Sequence, residues 1–391
     1  MLEATLGSPK DVWLEEGERN VPDRLYIQPL TLAPSPQAFA GDAVRLAGSM
    51  VHAREFAIII RRDGEIAERA LATADAIEDV LADLPDDLGP EAEAQWANLR
   101  TAHPPLQLGD RRIRLDQPQV MGILNVTPDS FSDGGKFLDN EAEAFAHAAD
   151  MVEEGAAIVD VGGESTRPGA AAVWEGDELK RVIPVVERCV AMGAAVSIDT
   201  RRPAVMEAAL AAGAEIINDV SALRYDPRSL EFAAASGKPV ILMHAPGEGE
   251  DLHAGGTYAN VVLDVFDWLA AARDRAIEGG VKRENVILDP GIGFGKSLAD
   301  NLALLNGLAL FHALGQPLLL GASRKRSIGA LSNEAPAHKR LGGSVALAVT
   351  GMNAGIQLLR VHDVFETVQA RNIWRVLRDA ALTDFSGLAE A

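Results

Sequence analysis

The chain predicts an α/β fold: a (β/α)8 TIM barrel with a small N-terminal α+β extension. Three observations lead there. From Val120 onward, eight short apolar runs alternate with longer helical patterns over about 260 residues, the count and size of such a barrel. The runs are continuously apolar, as strands covered on both faces should be. Each run then ends in a cluster of polar residues, and in a barrel those ends share one rim. A doubly wound open sheet is the alternative architecture.

Composition sets the outer bounds. The 391 residues are 48% hydrophobic, with mean hydropathy +0.04, enough to fill a sizeable core. Disorder, collagen and small disulfide scaffolds are excluded. A net charge of −21 argues against nucleic acid or an anionic membrane as partner. The single cysteine, Cys189, fits a reducing cytoplasm and reads as a core residue. The start, Met1-Leu2-Glu3-Ala4, lacks the basic and apolar regions of a signal peptide. No apolar stretch approaches the roughly 20 residues of a membrane span. A cytoplasmic protein is expected.

Residues 1–115 form the extension, carrying 20 acidic and 12 basic residues. Phe56–Ile60 reads as a buried strand, and Arg62-Asp63-Gly64-Glu65 as the turn after it. Ile66 to Leu84 then reads as a helix that Asp86-Asp87-Leu88-Gly89-Pro90 stops. Leu106–Leu108 and Ile113–Leu115 around Gly109-Asp110 read as a hairpin entering the barrel. No phosphate loop, metal cluster or nucleophile motif is present there, so its role stays open.

The barrel occupies 116–391. Its expected strands are Val120–Leu124, Ala157–Val161, Ala195–Ile198, Ile216–Asn218, Val240–Met243, Val286–Leu288, Leu318–Leu320 and Ile356–Leu359. The expected helices include Glu141–Glu154, Glu178–Met192, Pro203–Ala212 and Tyr258–Glu278. The strand ends bring Asn125, Asp160, Asp199, Asn218-Asp219, Met243-His244, Asp289, Ser323–Lys325 and Arg360–His362 toward one rim. Helix capping explains two or three of these, not all eight.

Asp199, Asn218 and Asp289 offer two carboxylate acceptors and an amide that donates and accepts. A flat heteroaromatic ring with amino, ring N–H and carbonyl groups, such as a pterin, matches that set. In this reading Asn218 and Lys325 donate to its acceptors. Arg167, Lys325, Arg360 and His362 form a second, positive subset suited to phosphate oxygens. Gly291, Gly293 and Gly295 mimic a nucleotide fingerprint without its acidic partner, and read instead as close approach of backbone to ligand. The Gly-, Ser- and Asp-rich loops after the first two strands read as lids.

These residues carry a specific resemblance. NVTPDSFSDGG at 125–135, GESTRPG at 163–169, SIDT at 197–200, INDV at 217–220, DPGIGFGK at 289–296, SRK at 323–325 and RVHDV at 360–364 resemble the dihydropteroate synthase family, in order, over roughly 118–380. The resemblance implies an enzyme of folate biosynthesis. It joins 6-hydroxymethyl-7,8-dihydropterin pyrophosphate to p-aminobenzoate, giving 7,8-dihydropteroate and pyrophosphate. It also implies an S_N1-like, Mg²⁺-assisted route, sulfonamides as inhibitors, and a homodimer.

Carried over by position, the resemblance implies pterin contacts from Asp199, Asn218, Asp289, Lys325, Met243, Phe294 and Gly321. Asn125, Thr166, Arg167, Arg360 and His362 would take the pyrophosphate, with Asn125 also a metal ligand. Phe131, Thr166, Pro168, Ser323 and Lys325 would meet p-aminobenzoate. Asp289, Lys325, Asp133, Arg360 and His362 would be the catalytic set. Ala245-Pro246-Gly247 after His244 departs from the family pattern, as does the extension. Two alternatives compete: a corrinoid-dependent, pterin-binding methyltransferase, and a non-catalytic pterin-binding relative. The first has no need of the NVTPDSFSDGG loop, and the second should have lost anion-binding residues.

Overall fold

Eight parallel strands form one sheet among the described residues: Gln119–Asn125, Ile158–Gly162, Val196–Asp199, Ile216–Asp219, Val240–Met243, Val286–Asp289, Leu319–Leu320 and Leu358–Val361. They belong to a computed structural model that describes residues 23–33, 42–126, 137–165 and 173–381. The first six pair in chain order, and the first and seventh flank the eighth. A parallel bridge between Leu288 and Leu318 closes the ring. Each strand is followed by a helix, from Phe137–Glu153 after the first to Val364–Ala381 after the last. This is the predicted (β/α)8 barrel, and its strand boundaries lie close to those read from the apolar runs.

The predicted hairpin exists as Leu106–Leu108 paired with Arg111–Ile113. Its Leu106, Leu108 and Ile113, with Leu115, pack onto the first layer of the barrel: Met121, Ile158, Ala195, Ile216, Ile241, Ile287, Leu319 and Leu358. The hairpin therefore plugs the N-terminal mouth. Burying such a side chain stabilises by roughly 1.5–3 kcal/mol. With the bottom sealed by hydrocarbon, polar groups inside the barrel face only the opposite rim.

The extension departs from its predicted form in its helices, and Gly89-Pro90, read as a stop, opens the helix Gly89–Arg100 instead. Ile66–Leu84 is not one helix: Glu65–Thr73 is a strand and only Ile77–Ala82 is helical. The cause is the turn. Asp63 and Gly64 both take positive φ, 50° and 83°, the two-residue hairpin geometry that returns the chain along its own strand. Glu65–Thr73 accordingly pairs antiparallel with Glu55–Arg62, overriding the helical propensity of its Ala, Glu and Leu residues.

Arg24–Pro29 completes this three-stranded sheet. Helix Gly89–Arg100 covers one face, with Trp96 edge-on to Phe56 at 5.2 Å. The sheet also meets the barrel helix Val261–Glu278, where Tyr26 lies edge-on to Phe266 at 5.5 Å and donates to Asp267 Oδ2 at 2.7 Å. Arg61 joins Asp264 at 2.6 Å beside it. Extension and barrel share one continuous hydrophobic core.

Candidate active site

Polar side chains crowd the open end because six of the eight barrel strands carry a hydrophilic residue toward it, and the other two are followed by His244 and Ser323. Asp199 and Asn218 sit in register on adjacent strands, as do Met243 and Asp289. Asn125 is in register with Gly162, and Gly162 with Asp199. A Cβ added at Gly162 would touch both Asn125 Oδ1 and Asp199 Oδ2, at 3.5 Å each. The ring read from the strand ends is thus one contiguous surface, not a set of separate caps.

Arg360 organises its centre. Nη2 donates to Asp199 Oδ2 and Nε to Asp160 Oδ2, each at 2.6 Å. The same Asp160 oxygen accepts from Asn218 Nδ2 at 3.1 Å. Burial pushes the Asp199 carboxyl up, opposed by Arg360 and reinforced by Asp160. Burial pulls Arg360 down, but Asp160 and Asp199 outweigh it and keep the guanidinium firmly charged. Burial likewise pushes Asp289 up, against a bond from Gly291 N–H at 2.7 Å and the charge of Lys325.

Lys325 stands across from these acids. Its ammonium lies over the Phe294 ring, and burial pulls it down to about 8 against the opposing charge of Asp289. Phe294 in turn groups with Val220, Met243, Ala245 and Leu252 in a small apolar cluster. A Cβ at Gly321 would lie 3.7 Å from Asp289 Oδ2, so this glycine leaves one flank of that acid open. Apolar Met243 and Phe294 thus stand beside the charged Asp289 and Lys325, the lining that a slot for a flat polar ring calls for. Ala245 lies in this wall, and Pro246 packs against Gly295, so the Ala245-Pro246-Gly247 departure is absorbed by the apolar side of the slot.

His362 differs from its sequence reading as a cation. Burial, with Arg324 and Arg360 nearby, pulls its imidazole down to about 3, so at neutral pH it is uncharged. Its Nδ1 lies 3.1 Å from Ser323 Oγ, which also accepts from the His362 N–H. It brings a hydrogen bond to the rim, not a charge. Of the positive subset, Arg360 and Lys325 are in place. Phe131, Asp133, Thr166, Arg167 and Pro168, and most of both predicted lids, lie outside the described residues.

Sequence reasoning assigned no role to three groups. Asp160 was visible as an acid inside the apolar run Ile158–Val161, yet its partners lie 58 and 200 positions away. Glu164 takes bonds from Arg201 and Arg202 and receives Val173 N–H, while Arg202 also reaches Glu178 and Val173 O. Lys296 donates to Gly291 O at 2.8 Å and Phe294 O at 3.2 Å, and lies 2.8 Å from His244 Nδ1. Burial pulls it down to about 7. It pins the glycine loop, where a Cβ on Gly291 (φ 68°) would collide with His244 O.

Residues 121–362 match the family of pterin binding enzymes. Dihydropteroate synthase of Escherichia coli (strain K12) is 47% identical over 260 residues, 66% of this chain and 91% of that protein. The chain belongs to the dihydropteroate synthase family. Among solved structures, the Xanthomonas albilineans dihydropteroate synthase with 4-aminobenzoic acid superposes with TM-score 0.67 at 47% identity, over 71% of this chain and 99% of the other. The Yersinia pestis dihydropteroate synthase in a sulfonamide drug complex gives TM-score 0.66 at 44% identity, over 70% and 99%. All the dihydropteroate synthase motifs found in the sequence fall within or at the edge of the matched barrel, and the family match begins beyond residue 115.

Proposed function

We propose that the chain is a dihydropteroate synthase of folate biosynthesis, an enzyme transferring a dihydropterinylmethyl group to an arylamine. The observation that carries this reading is the coexistence of a slot ending in Asp199, Asn218, Asp289 and Lys325 with a fixed guanidinium, Arg360, beside it. The slot suits the pterin and Arg360 suits the pyrophosphate it carries. Neither alternative fits as well. A methyltransferase has no leaving anion for Arg360, and a non-catalytic relative has no use for an anion site.

In the reaction, the bond from the pterin methylene to the pyrophosphate oxygen breaks and leaves a cationic methylene. The arylamine nitrogen of p-aminobenzoate then attacks it, forms the C–N bond and releases a proton. The roles divide by charge. Asp199 and Asp289 accept from the pterin amino and ring N–H groups and, as carboxylates, favour the developing cation. Lys325 donates to the ring, which lies between Phe294 and Met243 beside Gly321. Arg360 stabilises the departing anion, and His362 adds a neutral hydrogen bond. Ser323 and Lys325 border the place for p-aminobenzoate. Asn125, Thr166, Arg167, Phe131, Pro168 and Asp133 keep the roles their motifs imply. No protein nucleophile is needed.

Mg²⁺ fits the donors that are present. Among the described residues no three His, Cys, Asp or Glu side chains gather into a metal cage. A phosphate-bound Mg²⁺ needs none, because it draws most of its oxygens from phosphate and water. Asn125 would supply one protein oxygen from the rim, and the ion would offset charge on the leaving pyrophosphate.

A homodimer is part of the proposal. Helix Val364–Ala381 leaves Phe365, Ile373, Val376 and Leu377 exposed at 54%, 61%, 61% and 66%, an apolar stripe suited to a second copy. We place the enzyme in the cytoplasm, with residues 1–115 a non-catalytic extension on the 116–391 barrel. Among the described residues no helix is long and apolar enough to cross a membrane. Mass-spectrometric detection of dihydropteroate from the two substrates with Mg²⁺, blocked by a sulfonamide competing with p-aminobenzoate, tests the reading. No dihydropteroate from the two substrates would remove the p-aminobenzoate assignment.

A further inference from the structure

Beneath the rim lies a fully buried carboxylate that contacts both halves of the site. Asp160 has no solvent-exposed surface, and its Oδ2 is shared by Arg360 Nε and Asn218 Nδ2. Its Oδ1 has no partner among the described residues, nor has the hydroxyl of Ser197, its register neighbour on the third strand. A buried charge is tolerated only when paired, and here both of its observed partners are residues of the proposed site.

We propose that Asp160 is the positioning residue that sets both the pterin and the pyrophosphate subsites, an inference resting on the function proposed above. Two consequences follow from hydrogen-bond chemistry. An ionised carboxylate only accepts, so the edge of Asn218 facing Asp160 must be its NH₂. The Asn218 Oδ1 is then the atom turned to the slot, and it calls for a donor on the ligand, a ring N–H or an amino group. The sequence reading had Asn218 donate; Asp160 engages one N–H of its NH₂ and orients Oδ1 as the added acceptor. Arg360 is held on the opposite side of the same oxygen. With Nε on Asp160 and Nη2 on Asp199, the guanidinium has one edge fixed, and its remaining N–H groups are free for an anion. One oxygen atom therefore sets the amide for the pterin and the fork for pyrophosphate.

The test uses the full-length chain and two probes, 6-hydroxymethylpterin and inorganic pyrophosphate, titrated separately by calorimetry. Asp160→Asn keeps the volume but removes the negative charge, leaving only a neutral amide oxygen to accept from Arg360 and Asn218. Both affinities are expected to fall by about tenfold or more, the cost of replacing charge-assisted hydrogen bonds by neutral ones at a buried site. Ser197→Ala, in the same buried layer, should leave both near the wild-type values. An Asp160→Asn protein that melts like the wild type and binds both probes unchanged would overturn the proposal, as would loss at one subsite only. If Asp160→Asn does not fold, wild-type NMR decides. Pyrophosphate should shift the Asn218 side-chain amide together with Arg360 Hε, and an unmoved Asn218 amide would overturn the coupling. Wild-type protein binding neither probe would instead overturn the reading of the site itself.

Discussion

The Lys325 ammonium lies 4.3 Å from the centre of the Phe294 ring, on the side of the slot facing Asp289. An ammonium over an aromatic face is attracted by the ring quadrupole, and this contact holds a charged end of the slot against its apolar wall. Burial still dominates the titration of Lys325 and pulls it down to about 8.

A pH dependence of pterin binding follows. Above about pH 8 the lysine loses the charge it presents to the ligand. Pterin affinity should fall by about tenfold between pH 7 and pH 9 through this group. Calorimetry on wild type and Lys325→Met isolates the effect, because the ligand's own titration is common to both. Parallel pH profiles in the two proteins would contradict the assignment.

Arg202 is the next test. It spans Glu164, Glu178 and Val173 O, and Glu178 has no exposed surface. Arg202→Ala strands a buried carboxylate and should cost about 3–5 kcal/mol of stability. Because Arg202 ties Glu164 to Val173 across the GESTRPG segment, KM for p-aminobenzoate should rise more than pterin affinity falls. Denaturant melts and steady-state kinetics read the two effects, and unchanged stability would show that the pair is dispensable.

His312 predicts acid sensitivity where extension and barrel meet. It is fully buried, its Nε2 lies 2.8 Å from Ala354 O, and burial pulls it down to about 4. Because the folded value lies below the unfolded one near 6.5, neutral His312 supports the fold above that pH. The support is lost as pH falls toward 4, amounting to about 2 kcal/mol between pH 8 and pH 5. His312→Gln, which still donates to Ala354 O, should lose this part of the slope. Identical slopes by chemical denaturation would refute it.

Removing the extension should separate catalysis from stability. A chain starting at Leu106 keeps the barrel plug and every proposed site residue, so its kcat should survive. It also bares Phe266 and the Val261–Glu278 helix, which Tyr26 and Arg61 now cover. Solubility and thermal midpoint should therefore drop. A folded, soluble truncation without turnover would show that the extension takes part in the site.

The barrel and its rim were legible because buried parallel strands read as apolar runs whose hydrophilic ends are conspicuous. Asp199, Asn218, Asp289 and Arg360 could be found that way. The second contacts could not, since Asp160 meets Asn218 and Arg360 only through the register of non-adjacent strands. Charge states were also hidden: His362 reads as part of a positive subset in sequence, and its burial beside two arginines pulls it further down and keeps it neutral into acid. Glu65–Thr73 was misread because helix-forming residues outweighed the Asp63-Gly64 hairpin signal, which the backbone obeyed. The hairpin at Leu106 was visible, but not its use as a plug, which depends on the closure of the ring.

The central claim is that this rim joins a dihydropterin pyrophosphate to p-aminobenzoate, and product formation by wild type and Asp199→Ala tests it most directly. With both substrates and Mg²⁺, the wild-type chain should release dihydropteroate and pyrophosphate in equal amounts. Asp199→Ala, having lost a pterin acceptor and the Nη2 partner of Arg360, should fall by about a hundredfold or more in kcat/KM. A wild-type chain that forms no dihydropteroate, or an Asp199→Ala variant as active as wild type, would contradict the account.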